Sequence, residues 1–168
     1  MLNQAMSLAR LDFSPQHRQP SAARVVLATV AALAGSLAAD ALLVVIGEHI
    51  FPATRGYAHF RFSDYGKLTV IGVIIACIAW PVVTWVTSHP RWLFFRLAIL
   101  VTLVLWLPDL YLLYRGNRPE AVAVLMLMHV AIALVTYNLL VHLAPARPCQ
   151  RDPARQGHLT DASGRHRM

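Results

Sequence analysis

The sequence is poor in charge. Of its 168 residues 14% are charged, whereas ~25% is usual in a soluble domain. Acidic residues number 8, and Lys67 is the single lysine beside a majority of arginines. A soluble domain of this size needs a polar skin, and these charges sit mostly in the tails and short connections. That scarcity excludes a soluble globular enzyme, and the apolar content excludes a disordered chain. Two cysteines, Cys77 and Cys149, are too few for a disulfide scaffold and have no metal-ligand spacing. Also missing are a Ser-His-Asp order, a Cys–His pairing, a phosphate-binding loop and a dinucleotide fingerprint. The chain is therefore read as non-enzymatic, with no catalytic residue, no cofactor and no metal site.

Long apolar runs fill the space that charge leaves. Hydrophobic residues make up 57% of the chain, and the mean hydropathy is +0.52. A bilayer core of ~30 Å requires ~20 apolar residues as a helix. Four segments meet that length, at about 25–46, 68–86, 92–113 and 121–143. None alternates with period two, and in lipid every backbone N–H and C=O must be satisfied within the segment, so each is read as a helix. The links at 87–91 and 114–120 are short and carry Pro, Gly and charges, which forces their neighbours to be antiparallel. The expectation is an all-α polytopic membrane protein: an antiparallel four-transmembrane-helix bundle over 22–143. A polar tail at 1–21 and a basic, disordered tail at 144–168 flank it. The first connection, about 47–67, carries Phe51, Tyr57, Phe60, Phe62 and Tyr65. So much aromatic surface is expected on the membrane interface or packed over the mouth of the bundle.

The net charge of +7 does not point to nucleic acid. The basic residues are scattered at the ends of apolar segments, where they set topology and meet anionic headgroups. With four crossings, Arg10, Arg18, Arg24, Arg91, Arg96 and five arginines of the C-terminal tail share one side. Arg55, Arg61, Lys67, Arg115 and Arg118 lie on the other. Ten against five places both termini in the cytoplasm and the bundle in the cytoplasmic membrane. Ala39-Asp40-Ala41 loosely mimics a signal-peptide cleavage site, but the apolar run resumes at once, which argues against processing.

Lipid gives helices no hydrophobic reason to associate, so small and polar residues must join them. The first helix offers Ala28, Ala32, Ser36 and Asp40 at four-residue spacing. The second offers Thr69, Gly72, Ala76 and Ala79, the third Ala98, Thr102, Leu105 and Asp109, and the fourth Met126, His129, Ala133 and Thr136. Pro81 lies within the second helix, where it is expected to kink the chain and free the Cys77 carbonyl.

Asp40, Asp109 and His129 are the candidate functional residues. An ionisable group within a span is costly, faces the bundle interior and finds a partner. Counted from the expected helix ends, the three share one layer in the outer half of the bundle, with the freed Cys77 carbonyl at the same depth. Two carboxylates and an imidazole in a low-dielectric pocket make a proton or cation site. The structural alternative is a satisfied polar cluster that sets helix register. Glu48 with His49, and Asn138 with His142, are read as interfacial.

The run Leu-Met-Leu-Met-His-Val-Ala-Ile-Ala at 125–133 is similar to a pattern in a family of small four-helix membrane proteins of unknown function from GC-rich bacteria. Leu-Trp-Leu-Pro-Asp-Leu at 105–110 fits the same family, and the resemblance spans about 24–143. It implies emphasis on His129 and on the Pro108–Asp109 step, and no activity, cofactor or substrate. The leading expectation is an accessory or interaction protein of the membrane, with the lipid bilayer, a second copy or another membrane protein as partner. The alternative is a small proton- or cation-coupled transporter or channel component using the Asp/His layer.

Overall fold

The computed structural model describes residues 17–87 and 89–148. Four helices dominate it: α1 (Ala22–Ile50), α2 (Phe62–Val86), α3 (Pro90–Tyr114) and α4 (Pro119–Leu143). All four are long and apolar enough to cross a membrane. Three have 25 residues, roughly 37 Å at 1.5 Å per residue. The chain is an all-α four-helix bundle of multi-pass type.

The helices begin earlier than apolar content alone suggests. Pro90 and Pro119 occupy the first turns of α3 and α4, where an absent N–H breaks no hydrogen bond. The start of α2 moves most, from 68 to Phe62, because Ser63-Asp64-Tyr65-Gly66-Lys67 is helical. Asp64 in that first turn complements the helix dipole. Helix α2 runs without a break through Pro81, and Thr84 Oγ1 donates to the Pro81 carbonyl at 2.8 Å. The polar tails expected at 1–21 and 144–168 lie largely outside the described residues. Within them, His17–Arg18 pairs antiparallel with Arg147–Pro148, so the chain segments that flank α1 and α4 meet at one end of the bundle.

Helix α4 is the hub. Its contact with α1 is the most extensive, and it also packs on α3 and α2, whereas α1 and α3 share no major contact. Small residues make the α1–α4 approach possible. Ala28, Ala32, Ser36, Asp40 and Gly47 are the buried residues of α1. A Cβ at Gly47 would meet Val124 Cγ2 at 2.8 Å, and one at Gly35 would meet Val135 Cγ1 at 3.0 Å.

The expected α1 stripe is buried as read, but the α2 stripe is displaced. Gly72 is exposed, and the inward residues are Thr69, Val73, Cys77, Trp80 and Thr84. Bulk explains the displacement: α2 fills the space beside α1 and α4 with Trp80 and Val73, so small residues are not needed there. On α3 only Pro90, Phe94 and Asp109 are buried. Its remaining faces carry Leu100, Val101, Leu103, Val104 and Leu107 at more than half exposure, an apolar surface suited to lipid and far too large for water.

Two apolar clusters divide the interior. One, near the chain termini, holds Ala28, Ala32, Val73, Cys77, Trp80, Val83, Phe94 and Leu140. The other, at the opposite end, holds Phe60, Tyr65, Ala121, Val124, Leu125 and Met128. The buried polar residues Ser36, Asp40, Thr69, Asp109 and Thr136 belong to neither cluster. They form a layer between them.

Candidate functional site

Each helix contributes to the polar layer. Asp40 enters from α1, at the end of the small-residue stripe that brings α1 against α4, and is fully buried. Its Oδ2 accepts a hydrogen bond of 2.6 Å from Thr69 Oγ1 on α2. Its Oδ1 is buried and accepts no hydrogen bond from the protein. No basic side chain pairs with Asp40 among the described residues. One turn away, Ser36 Oγ meets Thr136 Oγ1 at 3.4 Å and extends the layer toward α4.

Asp109 enters from α3, directly after Pro108. It is the one buried residue in the C-terminal half of that helix. Its Oδ2 lies 3.1 Å from His129 Nδ1 on α4. The same nitrogen lies 3.0 Å from the Leu125 carbonyl oxygen, one turn earlier on α4. The ring N–H lines up with that carbonyl, so Asp109 Oδ2 is near the nitrogen yet accepts no aligned hydrogen bond. Distance puts the two groups within ion-pair range, while direction leaves the carboxylate oxygen unsatisfied. Direction decides the matter, because a hydrogen bond far off axis has lost most of its strength. Trp106, one turn before Asp109, ties α3 to α4 by donating from Nε1 to the Met126 carbonyl at 3.2 Å.

The three residues singled out in the sequence thus occur together in the layer between the two apolar clusters, Asp109 against His129 and Asp40 beside Thr69. The Cys77 carbonyl does not join them. Because α2 starts at Phe62, Cys77 lies roughly 22 Å along the helix at 1.5 Å per residue, within the cluster near the termini. Thr69, two turns earlier, takes the place assigned to it. Thr69 was legible as an inward residue of α2, but its pairing with Asp40 depends on that helix start. Asn138 and His142 are exposed, with Asn138 Nδ2 donating to its own helix at Leu134. Glu48 is half-buried and His49 exposed at the end of α1.

The aromatic connection packs over the mouth of the bundle. Phe60 and Tyr65 are buried against α4, with Tyr57 and Leu112 beside them, while Phe51 and Phe62 remain exposed. Tyr57 OH donates to Asn117 Oδ1 at 3.1 Å. Burial, and after it the charge of Asp109, holds the Tyr57 phenol above its ordinary range.

No family model matches the chain, and no curated protein or solved structure matches it either. The functional reading therefore rests on this geometry. Among the described residues no group of three His, Cys, Asp or Glu side chains has metal-site geometry. The carboxylates and the imidazole are groups that exchange protons. With hydrogen on Nε2 and on Asp109 Oδ2, the acid faces the Nδ1 lone pair as a donor. With hydrogen on both ring nitrogens, the imidazolium Nδ1–H points at the Leu125 carbonyl and lies beside the Asp109 carboxylate. The two arrangements differ by the transfer of one proton across 3.1 Å.

Proposed function

We propose that this chain is a small multi-pass protein of the cytoplasmic membrane, with both termini in the cytoplasm, that takes up and releases a proton at the Asp40–Asp109–His129 layer. It acts as a component of a proton-coupled process and not as an enzyme. One observation carries this reading: two buried carboxylate oxygens in the layer, Asp40 Oδ1 and Asp109 Oδ2, accept no hydrogen bond. A polar layer that only set helix register would be satisfied throughout, since a half-satisfied buried network is worse than an apolar one. Leaving such an oxygen unmatched costs about 1–3 kcal/mol, and more when it is charged. Proton binding removes the charge that makes the cost high, and at Asp109 the imidazole 3.1 Å away supplies a second basic atom for the proton to visit.

A second reading, an accessory protein that docks to a second copy or to another membrane protein, is favoured by α3. That helix buries only Pro90, Phe94 and Asp109 and offers the rest of its surface to the bilayer or to a neighbour. Vesicle flux measurements separate the two. Purified protein in liposomes with an entrapped pH dye is expected to carry proton flux under a diffusion potential. Asp109→Asn and His129→Gln are expected to abolish it while helical content is retained. Wild-type flux no greater than that of empty liposomes, with Asp109→Asn instead lowering assembly or abundance, would leave the docking reading in its place.

A further inference from the structure

The connection between α1 and α2 is fastened at several points to the turn between α3 and α4. Thr54 is buried, and its Oγ1 donates to the Phe51 carbonyl at 2.8 Å. Gly56 has φ +76°, a conformation open to glycine, and the chain there turns back toward α3 and α4. Tyr57 OH then donates to Asn117 Oδ1. Asn117 is itself held, its Nδ2 and backbone N–H both donating to the Leu112 carbonyl at 2.9 and 3.1 Å. The Arg118 guanidinium donates to the Ala53 carbonyl. Leu112 is three residues beyond Asp109 on the same helix face, so this strap lies over the end of the layer that holds Asp109.

The two ends of the layer differ. Toward the chain termini lies an apolar plug. Val73, Trp80 and Leu140 are fully buried, and the Trp80 and Phe94 rings meet edge to face at 5.0 Å. Trp80 Nε1 closes this end further by donating to the Ala144 carbonyl at 2.8 Å. Cys77 is the one titratable side chain among the buried residues of that cluster, with Tyr137 half-buried and stacked on Phe94 beside it. Toward the strap, the polar and titratable groups continue. They include Asp40 on α1, Tyr65 on α2, Asp109 on α3, His129 on α4 and, on the strap, Tyr57 with the His59 ring edge-on to it at 5.3 Å; Glu48 is half-buried, and His49, Arg55, Arg61, Asp64, Lys67, Arg118 and Glu120 are exposed at the rim.

We infer that the proton exchanged at the Asp109–His129 pair enters from the membrane face opposite the chain termini, past Tyr57, and that the Tyr57–Asn117 hydrogen bond is the latch that sets this access. The inference rests on the proton-binding reading and adds to it a side and a gate. Tyr57 and Asn117 act through access to the pair, so they are positioning residues. Opening requires the strap to lift, which breaks its hydrogen bonds to the α3–α4 turn and withdraws Tyr57 and Phe60 from their packing against α4.

Labelling with a water-soluble carbodiimide that does not cross the bilayer tests this. Protein is reconstituted in vesicles sorted by protease access to the termini. Modification of Asp109 is read by peptide mass spectrometry, with exposed Asp64 and Glu120 as reporters of reagent on the strap side. Asp109 is expected to be modified slowly, and only when reagent is on the strap side. Tyr57→Phe keeps the ring in its packing and removes the latch, and Asn117→Ala removes its other half. Loss of the latch is expected to raise the Asp109 rate about 2- to 10-fold in Tyr57→Phe, at least as much in Asn117→Ala, which also loses the Nδ2–Leu112 bond, and no further in the double variant than in Asn117→Ala. Modification from the termini side, or rates indifferent to both variants, would overturn the inference. Absent wild-type proton flux would defeat the proton-coupled reading by itself, whatever the labelling gives, so the two failures are distinguishable.

Discussion

A buried oxygen without a hydrogen-bond donor is what distinguishes Asp40 and Asp109 from the other polar residues of the spans. Thr29 and Thr102 return their hydroxyls to carbonyls one turn earlier, at 2.8 Å each, and so leave nothing unsatisfied. Asn138 does the same with its amide. A carboxylate has no proton to return, so it needs a donor from another helix. Asp40 finds one donor for two oxygens, and Asp109 Oδ2 has none aligned. The charge of Asp109 is felt by Tyr57. Because burial and that charge both favour the neutral phenol, Tyr57 remains a hydrogen-bond donor at pH values where a free phenol has begun to ionise. Its contribution to stability is fully present below the unfolded value of ~10 and is lost as pH rises beyond it. Asp109→Asn removes the secondary cause, so the Tyr57 pKa is expected to fall while staying above its ordinary value through burial. An NMR titration of ring-labelled tyrosine measures the change, and an unmoved Tyr57 would show that Asp109 carries no charge there. The candidacy of Asp40, Asp109 and His129 was legible in the sequence, because an ionisable residue within an apolar run is conspicuous. The roles of Tyr57 and Asn117 were not, since a Tyr in a polar connection and an Asn beside a turn Gly carry no such signal.

At the scale of elements, the α1–α4 contact organises the bundle, and its tightness is local. Gly47 meets Val124 at the outer end of the contact, whereas a Cβ at Gly72 on α2 would find nothing within 4 Å. Gly47→Ala forces a β-branched side chain on α4 to give way, and overpacking of this kind costs roughly 1–3 kcal/mol. Gly72→Ala is expected to be neutral or mildly stabilising, because Ala is the better helix former. Thermal unfolding of both variants in the same detergent checks the contrast, and equal midpoints would contradict the close approach. Gly72 lies within an apolar run and Gly47 just past the end of one, and neither residue type shows a close approach by itself. Helix phase makes the difference, and phase was misjudged for α2. The small residues Gly72, Ala76 and Ala79 suggested one inward face, whereas Val73, Cys77 and Trp80 lie deeper. Small residues report where backbones approach closely, as on α1, but a helix can also face inward with bulk when its neighbours stand farther off.

For the whole molecule, an even number of crossings places both ends of the described chain on one side, and the pairing of His17–Arg18 with Arg147–Pro148 agrees with this. The excess of arginine at that end makes it the cytoplasmic one in the topology proposed here. Epitopes placed after Met1 and before Met168 are therefore expected to be digested together in inside-out vesicles and protected together in intact spheroplasts. Opposite protection of the two would refute an even number of spans. The arrangement leaves α3 most exposed to its surroundings, with Asp109 as its inward anchor beside Pro90 and Phe94 at the other end.

The sequence by itself determined the number of spans, their helical character and the residues that lipid would not tolerate unpaired. Each of these follows from transfer energetics and backbone hydrogen bonding, which act on one segment at a time. Only the tertiary structure decided which polar groups meet. Thr69 in place of the Cys77 carbonyl, Leu125 as a rival acceptor for His129, and Tyr57 latched to Asn117 all depend on where helices start and how they are rotated. In lipid, apolar residues tolerate many helix rotations, so such pairings are selected by close packing among four helices and not by any segment alone.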